Sequence, residues 1–257
     1  MSETSISFFI LLTSLFGLVI GSFLNVVACR IPKGESIVHP PSHCPNCDTR
    51  LKPLDLIPVF SWLFLFGRCR YCKAPIHWQY PVVEAITGFL WGMVAWRFGW
   101  SWETAIGLLF VSFLLPLAVI DIHEMILPNV LTFPLIGAAL TGRLLIGSEP
   151  FRSYLAGGLL GAGLLLLLWW LSPYLFGKEG MGLGDVKLMA GIGLVVGLQG
   201  AILALFISSL IGLLIGLVVV TKNKAAKQEY LPFGPFLALG GLVSYLFGES
   251  VWNLFFY

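Results

Sequence analysis

Four cysteines in two C-x-x-C pairs and two aspartates at the ends of apolar runs are the residues of this chain best suited to chemistry. Cys44 and Cys47 stand in "HCPNCDTR", Cys69 and Cys72 in "GRCRYCK", with 21 residues between the pairs. Tetrahedral Zn²⁺ takes four soft ligands at about 2.3 Å, and two such knuckles supply them at close to zinc-ribbon spacing. Arg68, Arg70 and Lys73 lie close by and favour thiolates. Two disulfides are the plain alternative, which a reducing cytoplasm disfavours. A redox-active C-x-x-C would want a thioredoxin-like strand–helix unit, and nothing here suggests one. A closed four-thiolate site leaves no open coordination position, so its task is to organise the segment around it. His39 and His43 beside the first knuckle read as solvated loop residues rather than ligands.

Asp121 ends an apolar run in "LAVIDIHEMILPN", and Asp185 opens another in "GMGLGDVKLMA". A carboxylate at membrane depth is costly and marks a functional site by default. Two close carboxylates cannot both ionise cheaply, so such a pair shares one proton. The ionised partner can deprotonate a water while the protonated one polarises a peptide carbonyl. Helix direction makes Asp185, at a helix N-terminus, the base, and Asp121, at a C-terminus, the acid; the effect is about 1 kcal/mol or less per site. The two titrate as a unit. Gly180, Gly182 and Gly184 allow an irregular backbone where an extended substrate enters; the plain alternative is a loop with Asp185 capping a helix. Glu84, just inside a span, is read as functional, and Glu124 as interfacial.

These residues need a membrane scaffold. The chain of 257 residues is 58% hydrophobic and 11% charged, and its mean hydropathy is +0.91. Soluble domains are typically about one quarter charged, so the sequence predicts an all-α polytopic membrane protein. Runs of about 20 apolar residues mark spans, and eight emerge: 6–28, 81–97, 102–122, 127–146, 154–176, 184–199, 201–220 and 231–248. Only Gln199-Gly200 separates the sixth from the seventh. The net charge of +2 gives no reason to expect nucleic acid. The first apolar run has no Lys or Arg before it and carries Glu3, unlike a secretory signal. It is read as a retained span with Cys29 a buried thiol.

With eight spans, one side of the membrane holds 12 basic residues: seven in segment 30–80, then Lys178, Lys187, Lys222, Lys224 and Lys227. The other side holds three, Arg97, Arg143 and Arg152. Positive residues stay cytoplasmic, which puts the N-terminus outside and segment 30–80, Asp121 and Asp185 at the cytoplasmic face. The expected domains are a first span (1–29), a small zinc-ribbon-like segment (30–80) and a seven-span core (81–257).

"GMGLGDVKLMA" is similar to the GxGD motif of intramembrane-type aspartic peptidases. Together with "GSFLNVVACRIP", "CPNC" plus "CRYC", "IDIHEMILPN" and "LPFGPFLALGG", in that order along nearly the whole chain, it resembles bacterial prepilin leader peptidases. The resemblance implies a bifunctional enzyme of the bacterial inner membrane. Such enzymes cut the basic leader from type IV prepilins and type II secretion pseudopilins, then methylate the new N-terminal residue with S-adenosyl methionine. It places the catalytic aspartates on Asp121 and Asp185, and the cysteine pairs, linked to methylation, on Cys44, Cys47, Cys69 and Cys72. A leader rich in Lys and Arg would stay cytoplasmic, at the depth of the aspartates. The substrate's apolar helix could pack on small residues such as Gly157, Gly158, Gly161 and Gly163.

No Rossmann-type G-x-G-x-x-G follows a strand, so the methyl donor's place is not read from motifs; segment 30–80 with Arg30 and Glu35, together with the polar inner faces of the spans, is the region expected to hold it. The rival from another class is a proton- or ion-coupled transporter using the same carboxylates. Against it, both aspartates sit at one face rather than at the midplane, and no inverted repeat is visible. A membrane scaffold with a recruiting zinc ribbon would leave the aspartates unexplained.

Overall fold

The computed structural model describes residues 3–176, 181–222 and 231–256; Lys178, Gly180, Lys224 and Lys227 lie outside them. Among the described residues there are helices and loops but no named strand. The long helices are α1 (Glu3–Arg30), α3 (Gln79–Phe98), α4 (Trp102–Glu124), α5 (Asn129–Leu145), α6 (Phe151–Phe176), α7 (Leu183–Lys222) and α8 (Gly234–Phe256), with a 3-10 turn at Pro53–Asp55 and one short α-helix, α2 (Phe60–Phe64). α1, α4, α6 and α7 are long and apolar enough to cross a membrane by length and composition alone. The protein is thus an all-α polytopic membrane protein. It divides into two compact units, Met1–Pro116 and Leu117–Tyr257, with the boundary inside α4.

In the first unit α1 and α3 pack antiparallel. Asn25 donates to the Tyr80 carbonyl at 3.1 Å, Gly21 abuts Glu84, and Gly17 abuts Gly88 and Trp91. Apolar lipid gives helices no reason to associate, so small residues that allow close backbone approach supply the packing. Cys29 is only half-buried, with its Sγ 3.9 Å from the Tyr80 hydroxyl, which corrects the expectation of a buried thiol: it lies at the exposed end of this pair.

In the second unit the 40 residues of α7 would be about 60 Å long if straight, twice a bilayer core. They are not straight. Gly197 has φ 76° and ψ −176°, a conformation open to glycine. A methyl group added at Gly241 would lie 3.0 Å from Ile192, while its neighbour Gly240 abuts the Ala204 carbonyl. In one continuous helix Ile192 and Ala204 would be about 18 Å apart, so the two halves of α7 fold back beside the same turn of α8. The sixth and seventh expected spans are therefore separate helices, reversing at Gly197 rather than at Gln199-Gly200.

A reversal inside an apolar bundle frees backbone groups that must find partners. Arg143 supplies two donors to the Val195 carbonyl, from Nε at 3.0 Å and Nη2 at 2.8 Å, and stacks 4.5 Å over the Tyr154 ring. The Ser153 hydroxyl lies 3.5 Å from the Leu198 amide. Arg143 is 4% exposed, so it is a structural residue and leaves the tally of loop charges. Gly157, Gly158 and Gly161 are already filled by Gly197, Leu194 and Met189; of the four glycines considered for packing a substrate helix, Gly163 alone faces open space.

Candidate functional site

Asp121 and Asp185 line one cleft of about 670 Å³ in the second unit. Three helices there run parallel, because Asn129 meets Lys187, Leu135 meets Gly191 and Ile192 meets Gly241. The N-termini of α5, α7 and α8 therefore gather at one level, and the last turn of α4 brings Asp121 to it. Helix N-termini present unpaired N–H groups and a partial positive charge, so this end of the bundle favours anions. Sequence reasoning placed the two carboxylates at matching depth, and the structure brings them into one cleft.

Asp121 is 5% exposed and Asp185 7%. The Gly234 amide, first in α8, donates to Asp121 Oδ2 at 2.8 Å. A Cβ at position 234 would sit 2.7 Å from that oxygen, so only glycine lets the amide come this close. Asp185 lies in the first turn of α7, its carboxylate facing the Gly182 amide and within electrostatic reach of Asp121. Asp121 does end α4, but it also faces the N-terminus of α8. Both carboxylates therefore lie at helix N-termini, and the helix-end contrast drawn from sequence is weaker in three dimensions.

Two features of the cleft had no strong sequence signal. Lys187 donates to Asn129 Oδ1 at 2.8 Å and stands 5.5 Å over the Phe133 ring, which fixes a cation at the cleft edge. Leu127 packs 2.8 Å from where a Cβ of Gly184 would be, seating the Met125–Pro128 loop against the start of α7. The "LPFGPF" stretch was legible only as a motif, not as an amide donor to Asp121. Glu124 is exposed at the end of α4.

In the first unit the four cysteine Sγ atoms all lie within 4.8 Å of one another, and Cys44 and Cys72 are 3.8 Å apart. Ligands about 2.3 Å from a tetrahedral metal stand just under 4 Å apart, so the donor set fits a metal. The two knuckles are copies of one turn. Cys44 N–H donates to the Thr49 carbonyl and Cys69 N–H to that of Ala74; Asp48 N–H returns to Cys44 and Lys73 N–H to Cys69. Asp48 and Lys73, each four residues past the first cysteine, share a positive φ of 51° and 61°. Backbone amides, led by that of Cys72 for Cys69 and that of Ala74 for Cys72, hold both thiols below their ordinary range. At Cys44 the Asn46 amide pulls the same way, but burial and the neighbouring sulfurs win and push it up to about 11. Four thiols at this spacing cannot all ionise unless a cation joins them.

Asp55 clamps the second knuckle, accepting from Arg70 Nε at 2.5 Å, Tyr71 at 3.0 Å and the Lys52 amide at 3.1 Å. Burial would raise its carboxyl, but Arg70 and the other two donors hold it below the ordinary value of 3.8. His43 turns its Nδ1 to the Pro41 carbonyl at 3.0 Å, and the metal-binding group comprises the cysteines alone. Arg30 donates to the Ser36 carbonyl at 2.9 Å, tying down the start of the segment; Glu35 is exposed. Glu84 is 8% exposed and accepts the Val59 amide at 2.7 Å.

Comparison with known proteins agrees over nearly the whole chain. Residues 15–98 match the bacterial peptidase A24 N-terminal domain, and residues 108–217 match the type IV leader peptidase family. A Neisseria gonorrhoeae protein named prepilin leader peptidase/N-methyltransferase is 36% identical, covering 98% of this chain and 96% of that one. Proteins of the same name from Bacillus subtilis (strain 168) and Pseudomonas aeruginosa PAO1 are 41% and 36% identical, over 92% and 95% of this chain and 94% and 92% of theirs. No solved structure matches. Nothing in the fold or among these relatives supports a transporter. Similarity of this extent along both chains means that the protein belongs to the type IV leader peptidase family and is an enzyme, a peptidase with methyltransferase activity.

Proposed function

We propose that this protein cleaves the basic leader from type IV prepilins and type II secretion pseudopilins at the cytoplasmic face of the bacterial inner membrane, and then N-methylates the new N-terminus. One observation carries the peptidase reading: two buried carboxylates share a cleft where three helix N-termini converge. In this reading Asp121 and Asp185 are the catalytic pair. One carboxylate takes a proton from water as its oxygen bonds to the scissile carbonyl carbon. The other, protonated, hydrogen-bonds the carbonyl oxygen. The C–N bond then breaks, and the leaving amine takes up a proton from the pair. The gathered helix ends favour the developing oxyanion. Lys187 borders the cleft as a fixed positive charge.

The membrane core, residues 81–257, is assigned to cleavage, with both aspartates in its second unit. Segment 30–80 is assigned to methylation. Cys44, Cys47, Cys69 and Cys72 would hold a structural Zn²⁺, which ties the two knuckles together. S-adenosyl methionine supplies the methyl group as a sulfonium, and the free amine made by cleavage is its acceptor. In the bilayer the N-terminus is periplasmic and segment 30–80 cytoplasmic, as the loop charges direct.

Intact-mass analysis of a leader-bearing prepilin, incubated with the protein and S-adenosyl methionine, tests this. Wild type should remove the leader and add one methyl group. Asp185→Asn should leave the substrate uncut yet still methylate a substrate supplied already cut. Leader removal by the Asp185→Asn protein would refute the mechanism.

A further inference from the structure

Between the two cysteine knuckles the first unit exposes an apolar face. Phe60, Leu63 and Phe64, at positions i, i+3 and i+4 of α2, are 49%, 53% and 79% exposed, and Phe66 beyond them is 88% exposed. Trp62, on the opposite side of α2, turns inward and donates to the Ile76 carbonyl at 3.2 Å. The helix is apolar on both sides, then, with Trp62 turned in and Phe60, Leu63 and Phe64 turned out. Both ends are held in an unusual backbone. Val59 just before α2 and Phe66 just after it have φ of 63° and 51°, a region that bulky side chains rarely adopt.

The depth of this face follows from its anchor. The Val59 amide donates to Glu84, five residues into α3 and so about 7 Å beyond its start. On α1, Glu84 sits opposite Gly21, nine residues inside Arg30. Even with a glutamate side chain leaning back toward the start of its helix, Val59 lies beside the first turn and a half of α3, not past its end. The chain has left the bundle at Arg30 and come back to the level of the spans before α3 begins. Arg68 and Lys73 flank Phe66 around a basin of about 430 Å³, which places cations beside the aromatic face.

We propose that residues 57–66 are a lipid-facing foot: the aromatic face of α2 enters the boundary of the cytoplasmic leaflet, and Arg68 and Lys73 meet its anionic headgroups. Apolar rings with a basic rim at this depth are what an interfacial helix presents to an anionic bilayer. Glu84 is then a positioning residue, fixing the foot to the span beside it.

The test uses the full-length protein in nanodiscs of phosphatidylcholine and phosphatidylglycerol at 3:1, with the photocrosslinker p-benzoylphenylalanine at position 64, or at 66 if the first variant fails to take up cobalt at its cysteines. Position 50, exposed on the first knuckle, is the control. After irradiation, intact mass should show lipid adducts several-fold more abundant at 64 than at 50. The phosphatidylglycerol share of those adducts should fall in Arg68→Gln/Lys73→Gln protein. Equal adducts at 64 and 50 overturn the proposal. So does adduct formation that moves from lipid to a co-reconstituted prepilin, which would make the face a peptide-docking surface. Lipid adducts need no turnover, so this result stands apart from the cleavage assay.

Discussion

The cysteine cluster and the aspartate cleft are both polar sites in a chain that is mostly apolar, and they are built by opposite means. Each knuckle closes within about six residues through its own backbone, and the second repeats the turn of the first. The cleft draws Asp121, Asp185 and Gly234 from across more than a hundred residues, and its position depends on the packing of four helices. A local site of this kind would draw its rigidity from a bound metal, because so short a segment buries little. A distributed site inherits rigidity from the bundle and needs only that each helix end reach the same level. The first should therefore fail as a unit when the cation is lost, and the second gradually, as individual contacts are disturbed.

Cys69→Ser gives the largest effect and the hardest test of that contrast. Structural zinc is worth on the order of 10 kcal/mol of folding energy in small domains, so metal content should fall from one ion per chain to none. Hydrogen exchange across 42–76 should rise sharply while α1 and α3 stay protected. If leader cleavage falls as steeply as metal content, the two sites are not separately built and the comparison breaks.

Gly234→Val comes next. The Cβ would displace the Asp121 carboxylate, and a shift of about 1 Å at a reacting group costs roughly 100-fold in rate. Cleavage kinetics should show this with metal content unchanged. Arg143→Met should follow, leaving the Val195 carbonyl buried without its donors at about 1–3 kcal/mol. It should lower the thermal midpoint of the bundle without altering cobalt uptake by the cysteines.

Asp55→Asn is the smallest change, about 1 kcal/mol or less, because Arg70 is half exposed. Its signature is pH dependence. The Asp55 carboxyl is held below 3.8 in the folded chain, so its stabilising effect is complete above that value and disappears as pH falls through the folded value. The exchange difference between wild type and variant at the Arg70 and Tyr71 amides should be full at pH 6 and should vanish in strong acid.

Much of this was legible in the sequence, and the misses have physical reasons. Hydropathy marked every long helix, since a bilayer demands length and apolarity that composition records directly. The cysteine spacing specified the knuckles because the interaction is local. The aspartates stood out because carboxylates are rare in apolar runs. What no pattern carried was long-range partnership: the Gly234 amide for Asp121, the Val59 amide for Glu84, and Arg143 for a carbonyl 52 residues away. Arg143 looked like a loop charge because it ends a helix, and Gln199-Gly200 looked like the break because glutamine is the more polar neighbour. The reversal falls at Gly197 because Gly157 and Gly193 let α6 approach there.

That reversal also sets an order of assembly. Arg143, Glu149, Ser153 and Tyr154, which satisfy and surround the freed groups of Val195 and Leu198, all precede Gly197 in the chain. As the ribosome extends the protein from its N-terminus, these four residues are synthesised before the turn itself, whereas Ser244 of α8, which donates to the Gly200 carbonyl at 2.8 Å, comes after it. The partners of the Val195 carbonyl and the Leu198 amide are thus available as soon as the bend in α7 is made. Asp121 and Asp185 are likewise synthesised before α8, so the Gly234 amide that Asp121 accepts is the last of these cleft groups to leave the ribosome.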